Sequence, residues 1–157
     1  MKHTKNILKS LLITVMALSL LAVSCSKDEG GSKPTNPAPT KLEVAKQAVA
    51  EAAKKVTAAK AAAAAAKTDV SKKTEAVTAA KAAVTTAKTA AAAAETAAVA
   101  TTQAASVKTE AGNVETAVTT LEGKTKEADI KTEAGKVETA VTTLEGKVNE
   151  LKTALEK

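Results

Sequence analysis

From Leu42 onward the apolar positions keep a seven-residue rhythm: Leu42, Val49, Val56, Ala63, Val70, Val77, Val84, Ala91, Ala98 and Ala105. Three residues after each stands a second position, filled by Ala45, Ala52, Ala59, Ala66, Ala80, Ala87 and Ala94 and interrupted by Lys73 and Thr101. Two apolar positions per heptad make one stripe along a helix, the a and d columns of a coiled coil. Lys46, Lys60, Lys67, Lys81 and Lys88 fall beside that stripe, where charge pairs between helices form. Alanine runs such as "KAAAAAAK" (60–67) favour helix with or without a partner, but propensity does not put valine on a grid of seven. The phase holds through "KTDVSKK", so residues 42–106 are predicted as one continuous helix, about 97 Å long at 1.5 Å per residue.

The tail has a different beat. "KTEAGNVETAVTTLEG" (108–123) returns as "KTEAGKVETAVTTLEG" (131–146), with Lys136 in place of Asn113. Within it runs an 11-residue unit, "TEAGKVETAVT" followed by "TLEGKVNELKT", a period that favours a nearly straight or gently right-handed supercoil. Its predicted stripe is Ala134, Val137, Val141, Leu144, Val148, Leu151 and Leu155. The segment "GKTKEAD" (123–129) lacks large apolar residues, and Asp129 is suited to cap a new helix at Ile130, so a kink or short turn is predicted there. A second break is placed near Ser106–Asn113, where the heptad phase ends. Gly112, Gly123, Gly135 and Gly146 recur with the repeated unit and read as products of duplication.

Charge adds a long-range constraint. Residues 41–106 hold 10 lysines and 5 acids, whereas 107–157 hold 8 lysines and 10 acids. Opposite signs favour packing of the tail on the long helix, or on that of another copy. The fold class is therefore all-α: a long Ala/Val heptad helix at 42–106, as coiled coil or helical hairpin, then a repeat-containing helical tail at 107–157. Self-association through the Val/Ala seam is the expected protein contact.

The first 41 residues follow other rules. Met1 to Lys9 carries three lysines, "SLLITVMALSLLAV" (10–23) is a nearly unbroken apolar run, and Ser24 precedes Cys25, the single cysteine. This is the order of a secretory signal peptide, residues 1–24, and the run is shorter than the ~20 residues a spanning helix needs. The stretch "LAVSC" resembles the lipobox of bacterial lipoproteins in its relaxed, spirochaete-like form, with Ala22 where the strict pattern has leucine. The resemblance implies acylation of the Cys25 thiol and cleavage between Ser24 and Cys25. A rival reading, an A-x-A-like site at Ala22 and Ser24, leaves a free thiol. Two or three acyl chains, at ~0.8 kcal/mol per buried CH₂, would hold the chain on a bilayer. Residues 25–41, "CSKDEGGSKPTNPAPTK", read as a disordered, flexible tether. Its "SKDE" is similar to the acidic export signal behind the lipid cysteine of some Bacteroidetes surface lipoproteins. The expected location is the bacterial cell envelope, lipid-anchored and more on the outer membrane than the inner, facing the periplasm or the surface.

Composition narrows the chemistry. Without residues 1–24 the chain keeps 20 lysines against 17 acids, and it has no aromatic residue and no arginine. Nucleic-acid binding therefore lacks its usual stacking and bidentate side chains. His3 is the one histidine and falls in the signal segment. No catalytic, cofactor-binding or metal-binding residue is expected, and no enzyme. Three functions are carried forward. The first is a structural spacer in the envelope, whose plan resembles the Braun-type murein lipoprotein; that likeness implies attachment of Lys157 to peptidoglycan. The second is a surface-displayed antigen or binding protein. The third is a stress-protective, partly disordered polymer, since "TEAGKVETAVT" resembles late-embryogenesis-abundant repeats.

Overall fold

The computed structural model describes residues 39–157; the signal peptide, Cys25 and the tether as far as residue 38 lie outside the described residues. Four helices follow, α1 (Lys41–Thr68), α2 (Lys73–Thr96), α3 (Thr101–Glu122) and α4 (Glu127–Leu155), with a 3₁₀ turn at Val70–Lys72 between the first two. Helix α1 begins where the sequence supplies a capping box. The Thr40 hydroxyl accepts from the Glu43 amide at 3.2 Å, and the Glu43 carboxylate accepts from the Thr40 amide at 2.9 Å. Two of the first turn's orphan amides are thereby satisfied. Lys41, assigned to the tether from sequence, is the first helical residue.

The helices form a four-helix bundle. Helix α1 packs on α2 and α4, α3 packs on the same two, and α2 and α4 also meet across the shorter diagonal. Neighbours run antiparallel. The start of α1, the α2–α3 turn and the end of α4 lie at one end of the bundle; the other two connections lie at the opposite end.

The single rod predicted over 42–106 is broken twice. At Asp69 the backbone turns extended (φ −130°, ψ 107°), and its carboxylate accepts from the Ser71 amide at 2.9 Å. That side chain offers the backbone an alternative to continuing the helix. The second break, at residues 97–100, has no such residue. Ala98 and Ala100 both adopt left-handed backbone, with φ of 57° and 52°. The Val99 amide reaches back to the Ala94 carbonyl and the Ala98 amide to Glu95, the paired bonds of a Schellman ending. Ala98 thus occupies the position where glycine is the usual choice. Burial explains why the rod gives way: extended, its stripe faces water, whereas folded back it faces other stripes at roughly 25 cal/mol per Å². The longest helix, α4, has 29 residues and spans about 43 Å.

The break placed near Ser106–Asn113 does not form. Those residues lie inside α3, as does the boundary drawn between 106 and 107. The break expected at 123–129 does occur, but α4 starts at Glu127 rather than Ile130, and Asp129 sits in its first turn instead of capping it. A carboxylate there favours the positive helix end without a capping bond.

The predicted stripes largely make the core. In α1, Ala45, Val49, Ala52, Val56, Ala59, Ala63 and Ala66 are all buried, and α4 buries every residue of its predicted stripe. Helix α2 also buries Ala76, Ala83 and Ala90, a broader face suited to three neighbours. Leu42 and Val70, at the start of α1 and in the 3₁₀ turn, are half-buried, and past Ala94 the heptad reading fails. Ala98, Thr101 and Ala105 are exposed, and the α3 core is Ala104, Val107, Ala111, Val114, Val118 and Leu121. The turn has reset the phase.

Candidate functional site

The charged groups that the fold brings together lie along two seams. On the α1–α4 seam, Lys60 Nζ meets Glu145 Oε2 at 2.8 Å and Lys67 Nζ meets Glu138 Oε2 at 2.7 Å. On the α2–α3 seam, Lys81 meets Glu122 and Lys88 meets Glu115, each at 2.6 Å, and Lys108 meets Glu95 at 2.5 Å. On each seam a forward step of seven on one helix is matched by a backward step of seven on the other. Four of the five lysines predicted beside the stripe therefore carry interhelical ion pairs.

The two seams are the same seam made twice. Glu115 and Glu122 belong to the first copy of the tail repeat (108–123), and Glu138 and Glu145 are their counterparts 23 residues on, in the second (131–146). Their partners are related too: "VTAAKAA" at 56–62 recurs as "VTAAKAA" at 77–83, and each copy is followed by "AKT" after the same interval. This 21-residue recurrence carries Lys60 onto Lys81 and Lys67 onto Lys88. A lysine helix and a glutamate helix thus meet in equivalent register, once as α1 with α4 and once as α2 with α3. The single difference between the glutamate copies is accommodated locally, because Asn113 Nδ2 donates to Glu110 and Lys136 Nζ donates to the equivalent Glu133, both at 2.9 Å.

Among the described residues two carboxylates have lowered pKa values. For Glu145 the hydrogen bond from Lys60 is the main cause; partial burial opposes it, and the Thr57 hydroxyl, 3.0 Å away, lowers it further. For Asp69 the bonds from Ser71 dominate.

Lys73, which interrupts the predicted apolar column, has a structural task. Its Nζ donates to the Glu122 carbonyl at 2.7 Å and to the Lys124 carbonyl at 2.6 Å. The cation closes the C-terminal end of α3, where carbonyls lack helical partners and the dipole is negative.

Of the predicted site residues, Ser24 and Cys25 lie outside the described residues. Lys157 is exposed beyond the end of α4, beside a shallow surface groove that Gln103, Gly146, Asn149 and Glu150 also line. Among the described residues no group of three or more His, Cys, Asp or Glu side chains is placed to hold a metal, and no helix is long and apolar enough to cross a membrane. No protein family, curated protein or solved structure matches the chain. The glutamate side of both seams was missed from sequence; the tail repeat shows that Glu115 and Glu122 recur as Glu138 and Glu145, but which lysines they face follows only from the fold.

Proposed function

We propose that the protein is a non-enzymatic lipoprotein of the bacterial envelope, held on a bilayer, the outer membrane foremost, by an acylated Cys25 and carrying its helical bundle as a displayed head. The carrying observation is the order of parts: a basic and apolar leader abutting one cysteine, a Gly/Pro-rich spacer, then a capped helical unit. The seven-residue spacing of both ion-pair seams supports coiled-coil packing within that unit. Its outer faces are largely threonine, lysine and glutamate, which suit a solvated head better than a nucleic-acid surface.

The second reading is a spacer joined to peptidoglycan through Lys157. It asks for attachment points at opposite ends of the folded unit, whereas Thr40 and Lys157 stand at one end of the bundle. That position favours display. A stress-protective, partly disordered polymer is the least favoured, since the stripes close into a buried core.

The mass of the native amino-terminal peptide tests the anchor. Acyl mass on Cys25, and release of a Cys25→Ser variant into the detergent-free fraction, is the expected result; a native protein without acyl mass overturns it. Proteolysis of intact cells bearing a carboxy-terminal tag then separates display, in which the tag is lost, from a periplasmic spacer, in which it is protected.

A further inference from the structure

We propose that the bundle forms a two-fold dimer by exchanging α3 and α4 between two copies of the chain, with the α2–α3 turn as the hinge. Three observations point there. The turn residues Ala97, Ala98, Val99 and Ala100 are helix-compatible, without glycine, proline or asparagine, yet two alanines are held left-handed. The other two connections are tied by side chains: Asp69 holds the first, and Lys73 bonds the carbonyl of Lys124 in the third. Straightening 97–100 also leads the α2 stripe (Ala87, Ala90, Ala94) through Ala97 and Thr101 to Ala104, Val107 and Ala111 in steps of three or four, the stripe winding by one residue, about 100°, round the helix.

The result is one helix over 73–122 in each copy, about 75 Å long. Two such helices lie antiparallel about a two-fold axis. Every seam pair is kept but is now made between copies: Lys81 with Glu122, Lys88 with Glu115, and Glu95 with Lys108, each occurring twice. An isologous dimer of this kind closes on itself, and exchange relieves both left-handed alanines while remaking the α2–α3 packing between copies.

Isotope mixing tests this with the full chain in detergent micelles. Ordinary and nitrogen-15 chains are mixed in equal amounts, concentrated, warmed and cooled, then treated with a carbodiimide that condenses lysine with a touching carboxylate. Exchange predicts that about half of the Lys88–Glu115 links recovered from the dimer fraction join a light to a heavy peptide, while Lys131–Glu127 links, made within one helix, stay unmixed. Dimers whose Lys88–Glu115 links are all unmixed, or a chain that stays monomeric throughout, overturn the proposal. In an Ala98→Gly/Ala100→Gly variant the turn is relieved and the straight helix weakened, so mixed links should fall at least tenfold. An unchanged mixed fraction in that variant overturns the hinge.

Discussion

At the scale of single residues the glycines and one glutamate make the clearest cases. A Cβ added at Gly112 or Gly146 would meet nothing within 4 Å, and both positions lie inside helices. Nothing there requires glycine, which agrees with their arrival by duplication. Gly112→Ala and Gly146→Ala should each stabilise the bundle by about 1 kcal/mol, read as a higher midpoint in urea unfolding. Glu145 acts through protonation. Its carboxyl is held below the ordinary glutamate pKa, chiefly by Lys60, so the folded state binds that proton less readily than the unfolded state does. The contribution is complete above the unfolded value of about 4.3 and fades as pH falls through the lower folded value. The expected outcome is a urea midpoint that drops on acidification below about pH 4.3, with a smaller drop in Glu145→Gln. An equal drop in both proteins would remove Glu145 from the account.

At the scale of helices and turns, Lys73 shows how a flaw in a pattern becomes a feature of the fold. As a break in an alanine column it looked like a lapse; in the bundle it satisfies two carbonyls at the end of α3. Lys73→Met keeps the aliphatic stem and removes the donor, so it should cost about 1–2 kcal/mol, with amide exchange fastest at Thr119–Lys124. The same region shows what the sequence does and does not disclose. The stripes of α1 and α4 were legible because burial acts on every third or fourth residue and leaves that period in the letters. The turn at Gly123–Lys126 was legible because its apolar residues lapse. The turn at 97–100 was not, because "AAVA" has the preferences of a helix and is bent only by the gain from packing α3 on α2. The glutamate sides of the seams were hidden for a related reason: their register depends on which helices become neighbours, and that depends on the turns. Cys25, singled out in the sequence by its setting, lies outside the described residues, and the bundle does not bear on it.

At the scale of the whole molecule the question is what selects one arrangement of four similar helices. Their core is alanine, valine and a few leucines, small and repetitive side chains that fit many registers, and the near-identical α3 and α4 copies present nearly the same stripe. Short connections limit the choices, and the seams limit them further. Residues 138 and 145 on α4 must face 67 and 60 on α1 for opposite charges to meet. Each pair is part-exposed and worth ~0–1 kcal/mol, so charge contributes less to total stability than to the difference between alternatives. Reversing one side isolates that difference. Glu138→Lys/Glu145→Lys places four lysines on one seam and should lower stability by about 1–2 kcal/mol, with the loss shrinking as salt screens the repulsion. Adding Lys60→Glu/Lys67→Glu restores opposite charges in mirrored order, and the fourfold variant should return to within about 0.5 kcal/mol of the starting protein. Urea unfolding of the three proteins at low and high salt measures both steps. If the fourfold variant is no more stable than the twofold one, the seams are bystanders and packing alone chooses the arrangement.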